Sequence, residues 1–205
     1  MFFGTSFLPQ KHLPYTQFDN NALAVYVSLT FLSFIEVDLR VTRRLNYSGS
    51  SHVVDRVPTV RLRLLKEKKW IPAVTFGFHD ILTSIESGAA RHFGASYIVA
   101  TKNFHIPELH LKIGTTAGWG ASSLVWKNNE FIGFFGGLSL GLDNIKWMEL
   151  LCDYGGGAID NGLSSAGTIN AGIRFVCFRH LYMTAATMNF DSFTGTISYR
   201  FNLIR

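Results

Sequence analysis

The stretch Phe34-Ile35-Glu36-Val37-Asp38-Leu39-Arg40-Val41-Thr42-Arg43-Arg44-Leu45 decides the fold. Ile35, Val37, Leu39 and Val41 share one face, and Glu36, Asp38, Arg40 and Thr42 share the other. A period of two is the mark of a strand, because successive side chains point to opposite sides of a sheet. A helix would scatter the same charges around its circumference. The pattern returns near the C-terminus, where Ile197, Tyr199, Phe201 and Leu203 alternate with Thr196, Ser198, Arg200 and Asn202. It returns again where Val60, Leu62 and Leu64 alternate with Thr59, Arg61 and Arg63.

Working outward, further strands are expected at Ala22–Leu32, Ile71–His79, Phe93–Lys102, Glu108–Trp119, Glu130–Leu140, Ile145–Tyr154, Ala166–Cys177, His180–Met188 and Phe193–Leu203. Turn residues fall between them at Asn46-Tyr47-Ser48-Gly49, Asn128-Asn129, Asp143-Asn144, Gly155 to Gly162 and Asp191-Ser192. Eleven strands follow from Ala22 onward, and the first twenty residues have room for another. Because bacterial single-chain barrels are even-stranded, twelve is the expected count and ten the alternative. Phe131 to Leu140 is apolar on both faces, and Gly114, Gly118, Gly120, Gly133, Gly136 and Gly137 interrupt the runs. Inward glycines let a narrow barrel close and mark bends, although a buried sandwich strand reads the same way.

Composition places this sheet in a membrane. The 205 residues fit one domain, 1–205, with no linker-like stretch. Only 16% are charged, against 47% hydrophobic and 14% aromatic, whereas soluble domains carry roughly 25% charge. A spanning helix needs about 20 consecutive apolar residues; the best run, Leu23 to Ile35, contains Ser28, Thr30 and Ser33 and meets Glu36. With helices excluded, a closed barrel remains, since backbone polar groups in lipid must be satisfied internally. The alternative is a soluble sandwich or lipocalin-like barrel with the alternation inverted. Strand lengths near those of bilayer-crossing strands favour the membrane. So do aromatics near strand ends (Tyr47, Trp70, Trp119, Trp126, Trp147, Tyr154, Tyr199). The ending Ile197-Ser198-Tyr199-Arg200-Phe201-Asn202-Leu203 is similar to the terminal strand signal of outer-membrane barrels, although the last residue is Arg205. Met1-Phe2-Phe3-Gly4 has no basic region ahead of an apolar core, so the expectation is a mature chain already relieved of its export signal.

Several segments resemble the YjbH family of outer-membrane proteins, which are associated with exopolysaccharide production. Phe31-Leu32-Ser33-Phe34-Ile35-Glu36-Val37 with Asp38-Leu39-Arg40-Val41-Thr42 resembles that family's first strand pair. Pro72 to Asp80, Ala95 to Lys102 and Gly114 to Gly120 are similar to later segments, in the same order. Leu150 to Gly162 is a degenerate match, with Cys152-Asp153-Tyr154 where the family has Glu-Tyr-Asp, so a role for a glutamate there does not carry over. The resemblance spans roughly Phe31 to Leu203 and implies an outer-membrane location and a link to polysaccharide secretion. It supplies no catalytic residue.

The charged faces are the candidate site. Glu36, Asp38, Arg40, Arg61, Arg63, Glu149, Asp153, Arg174 and Arg200 would project into a lumen, four acids against five bases. Two readings stand: a charged path that guides a solute, or a neutralising network filling a narrow barrel, since buried charges persist only when paired. Gly137-Leu138-Ser139-Leu140-Gly141 fits a nucleophile-elbow string, but that motif needs a strand-to-helix turn. The seven histidines, at 12, 52, 79, 92, 105, 110 and 180, have no metal-ligand spacing. His79-Asp80, with Ser84, is where a lipid-modifying enzyme would carry its catalytic group; a polar pair at the barrel rim is the plainer reading. Cys152 and Cys177 fall on apolar faces and are expected to be two buried thiols without a disulfide. A net charge of +5 does not imply nucleic acid, because the bases are dispersed among acids. The one basic cluster, Lys66-Glu67-Lys68-Lys69, suits a turn at anionic lipid headgroups.

The expected protein is therefore an all-β, closed antiparallel up-and-down transmembrane barrel, non-enzymatic, with no cofactor and no metal. It would act as an accessory or scaffold in envelope or exopolysaccharide export, with outer-membrane lipid and other outer-membrane or periplasmic envelope proteins as partners. The alternatives are a small solute pore, a lipid-modifying enzyme and a soluble ligand-binding barrel.

Overall fold

The computed structural model describes residues 1–12, 20–46, 53–79, 95–122, 133–155 and 167–201. Twelve antiparallel strands close into a barrel in which each strand pairs with its sequence neighbours and the first pairs with the last. They are β1 (Phe2–Leu8), β2 (Ala22–Phe31), β3 (Ile35–Arg44), β4 (Val53–Leu65), β5 (Ala73–His79), β6 (Ala95–Ile106), β7 (Leu111–Ser122), β8 (Gly133–Leu142), β9 (Ile145–Gly155), β10 (Thr168–Cys177), β11 (Leu181–Met188) and β12 (Ser192–Arg200). Single 3-10 turns occupy Gln10–His12 and Pro107–Leu109. The second turn takes the place of the first residues of the strand expected from Glu108. Pro107 has no N–H for a sheet ladder, and the chain reverses there through left-handed His110. Among the described residues no helix is long and apolar enough to cross a membrane.

The register turns the quoted stretch inside out relative to a soluble sheet. On β3, Leu39 is exposed on the outside while Thr42 is buried toward the axis. The same alternation runs around the wall, leaving Val25, Ile98, Phe134, Leu138, Leu150, Ile173 and Ile197 exposed. A water-soluble monomer rarely exposes a contiguous apolar patch above a few hundred Å², and this one encircles the molecule. Fully buried apolar side chains are few and small: Ala22, Ala24, Val57 and Ala95. The closed hydrogen-bond ladder holds the fold in place of a hydrophobic core, as lipid demands.

The two barrel ends differ. One carries short turns, Phe31 to Ile35, Ile106 to Leu111, Leu142 to Ile145 and Cys177 to Leu181, with the Leu65 to Ala73 hairpin and both strand termini. Left-handed backbone at Leu32-Ser33 and Phe178-Arg179 reverses the chain there, in keeping with the twist that hairpins require. The opposite end carries long connections, Leu8 to Ala22, His79 to Ala95, Ser122 to Gly133 and Gly155 to Thr168 among them, beside the short turn from Met188 to Ser192. On the exterior, Trp147 and Tyr199 lie toward the short-turn end, with Trp70 in the hairpin beyond, whereas Trp119 and Tyr154 lie toward the long-connection end. Tyr47 and Trp126 fall outside the described residues. Cys152 corrects one expectation: it is exposed on the outer face, because burial behind an apolar face does not exist in an inverted barrel. Cys177, half-buried, closes β10 at the other end, so the two thiols are unpaired.

Candidate functional site

The inward positions form one polar bore. On the β3–β4 wall, Glu36 pairs across strands with Arg61, and Asp38 with Thr59. Arg61 forms an ion pair with Glu36 and lies 3.6 Å from Asp38. Its Nε also donates to the Tyr97 hydroxyl on β6 at 3.0 Å, spanning the β5 wall, where Gly77 leaves room. Arg40 and Arg44 continue up the same face of β3, and Arg63 follows Arg61 on β4. On the opposite side of the ring, Arg174 of β10 donates to Glu149 of β9 at 3.2 Å, and Asn170 donates to Asp153 at 2.8 Å. Arg200 lines the short-turn mouth with Tyr26, Glu36, Asp38 and Arg61, around a cavity of about 580 Å³.

The nine residues expected to face the lumen thus separate into two clusters on opposing walls, with Arg200 between them at the mouth. Arg61 and Arg174 form ion pairs with acids of that set. Asp153 takes an amide partner instead. Other bore residues were not singled out from the sequence: Arg44, Lys112, His105, Tyr26 and Tyr97. Arg44 was legible in principle, since it shares the parity of Glu36, Asp38 and Arg40 in the quoted stretch.

Three inward aromatic side chains lie over glycines of the preceding strand. A Cβ on Gly77 would fall 2.1 Å from Tyr97, and one on Gly4 2.4 Å from the Tyr26 hydroxyl. Phe135 occupies the same kind of notch over Gly118, 2.3 Å from its missing Cβ. Each of these three rings leans onto the preceding strand. Tyr97 and Phe135 also meet edge to face at 6.0 Å, a favoured ring geometry.

The enzyme candidates do not assemble among the described residues. His79 closes β5 with its Nδ1 2.8 Å from the Thr59 hydroxyl; Asp80 and Ser84 lie outside the described residues. Gly137 to Gly141 runs inside β8, which ends in the tight turn at Asp143-Asn144, so it has no strand-to-helix elbow. No group of His, Cys, Asp and Glu among the described residues suits a metal ion.

At the short-turn rim, polar side chains tie hairpins together. Glu67 accepts from the Asn103 backbone N–H at 2.9 Å, from Asn103 Nδ2 at 2.7 Å and from Lys102 at 3.1 Å. These bonds hold its carboxyl below the ordinary range, the backbone one most strongly. Asp143 accepts from Lys112 at 2.8 Å and His105 at 2.7 Å, which lowers its pKa to about 2.

A closed, lipid-faced twelve-strand barrel with a charged bore defines a membrane-spanning barrel of the outer-membrane type. The chain belongs to the YjbH family, described as "Exopolysaccharide biosynthesis protein YbjH", whose model matches residues 13–135. That match takes in the segments from Phe31 to Gly120 on which the resemblance rests, and leaves the degenerate Leu150 to Gly162 element outside it. Among solved structures the barrel is similar to a KdgM porin, with a TM-score of 0.61 and 11% identity over 98% of this chain and 100% of that one. It is similar also to a KdgM porin in complex with disordered oligogalacturonate, with a TM-score of 0.58 and 10% identity at the same coverage. At such identities the likeness concerns the fold. No curated protein matches the sequence.

Proposed function

We propose that the protein is a narrow, non-enzymatic solute pore of the outer membrane whose bore favours anionic oligosaccharides. The observation that carries this reading is the composition of the bore. Among the described residues it presents Arg40, Arg44, Arg61, Arg63, Arg174 and Arg200 against Glu36, Asp38, Glu149 and Asp153. The β3–β4 wall is net basic, and the facing β9–β10 wall is net acidic. A charged chain passing between them would be held along β3–β4, as rings and walls of charge set selectivity in other pores. The notches that keep Tyr26, Tyr97 and Phe135 against the wall support an open path. The oligogalacturonate named with the similar porin is a polyanionic sugar, which agrees with a basic wall. The orientation follows barrel convention, with short turns in the periplasm and long connections outside.

The family description favours a second reading, an accessory or scaffold in exopolysaccharide export that works with other envelope proteins. Planar-bilayer recording separates the two. A pore gives discrete channels with a reversal potential on the anion side, and oligogalacturonate added to one side interrupts the current. A heat-modifiable barrel that never conducts would leave the scaffold reading in its place.

A further inference from the structure

Charge on the outside of the barrel is as informative as charge within it. Among the described strand residues the exterior is apolar or uncharged except at a few places, and two of these adjoin. Arg43 of β3 and Arg56 of β4 both point outward and are exposed. Val41 pairs with Arg56, and Arg43 follows two residues further along β3 on the same face, just past a β-bulge between Thr42 and Arg43. In a regular ladder such diagonal positions lie roughly 7–8 Å apart, and two long side chains beside the bulge can reach one common ligand. Neither guanidinium has a hydrogen bond or ion pair to a described residue. Both sit toward the long-connection end, above an aliphatic surface formed by Val25, Val27, Leu39, Pro58 and Val60. Exposed rings border that surface on both sides, Phe3 beside Val27 and Phe78 beside Val60.

We propose that Arg43 and Arg56 form a phosphate-binding site for the acylated, phosphorylated disaccharide lipid of the outer leaflet. A cation on a lipid-facing strand is costly at the midplane and costs little at the interface, so the pair marks the headgroup level. Two like charges side by side repel unless an anion lies between them. A phosphate monoester offers several acceptor oxygens to two guanidinium forks. The apolar strip beneath, aliphatic on β2 to β4 and bordered by Phe3 and Phe78, would seat acyl chains, a combination that an isolated headgroup or free phosphate does not need. This inference rests on the outer-membrane orientation proposed above, but not on conduction through the bore.

Native mass spectrometry of the full chain in detergent tests it, with diphosphoryl lipid A, its phosphate-free counterpart, phosphatidylglycerol and inorganic phosphate as probes. The expected result is retention of diphosphoryl lipid A about tenfold or more above the phosphate-free lipid, the scale of one charge-assisted contact. The double variant Arg43→Ala, Arg56→Ala should fall to the phosphate-free level while keeping its heat-modifiable mobility. Millimolar inorganic phosphate should not displace the lipid. Equal retention of both lipid A forms by the wild type overturns the proposal, whether or not the variant folds. Equal retention of phosphatidylglycerol overturns the glycolipid assignment. A chain with no heat-modifiable form would fail as an outer-membrane barrel, a result separate from any lipid preference.

Discussion

Arg61 joins three elements through one guanidinium: Glu36 and Asp38 on β3, and Tyr97 on β6. Its removal would leave two carboxylates side by side in the bore. Because the group is about one-third exposed, the cost of Arg61→Ala is expected near 1–2 kcal/mol, below that of a fully buried pair. The same variant should move the bilayer reversal potential toward cations, which measures the bore charge directly. Gly77 gives a steric counterpart. Gly77→Val would put side-chain atoms where Tyr97 now lies and drive that ring toward the axis. Unit conductance should drop several-fold with the circular dichroism spectrum unchanged, and a Tyr97→Ala change in the same chain should restore it.

Strand elements are tied at the short-turn rim by exposed polar contacts. The β6–β7 and β8–β9 turns meet where the Asp143 N–H donates to the His110 carbonyl at 2.8 Å and its carboxylate accepts from Lys112 and His105. A carboxyl with a pKa lowered from 3.8 to about 2 stabilises the folded turns fully above its unfolded value. That contribution is expected to disappear as the pH falls from near 4 toward 2. Amide exchange at His110 and Asp143 should therefore accelerate over that interval beyond the intrinsic pH effect, and Asp143→Asn should abolish the acceleration. These turns were only partly legible in the sequence. Asp143-Asn144 announced a hairpin, but nothing local linked Asp143 to His105, which a neighbouring hairpin delivers. Leu32-Ser33 carries no turn signature either; the pairing of β2 with β3 imposes its left-handed backbone.

At the scale of the whole molecule, closure and lipid burial set the behaviour. An intact barrel should resist SDS without boiling and migrate differently once heated, and its solubility should require detergent. Replacing Glu149 and Asp153 together with Gln and Asn removes two acids from the wall facing β3–β4. That change should deepen anion selectivity in the bilayer, opposite in sign to Arg61→Ala. Parallel shifts in the two variants would contradict a bore lined by opposed walls.

The alternation Ile35-Glu36-Val37-Asp38-Leu39-Arg40 by itself determined the strands and gathered their charges on one face; low charge content and strand length then turned that face inward and the other toward lipid. Strand count followed from turn spacing, because hairpins between neighbours are local. Tertiary structure alone decided which inward charges meet. Arg61 finds Glu36 through the β3–β4 register and Tyr97 by reaching across Gly77, and Arg174 faces them only because twelve strands place β10 opposite β4. Period two fixes the face a residue occupies, but its partners depend on register and closure, which are properties of the whole ring.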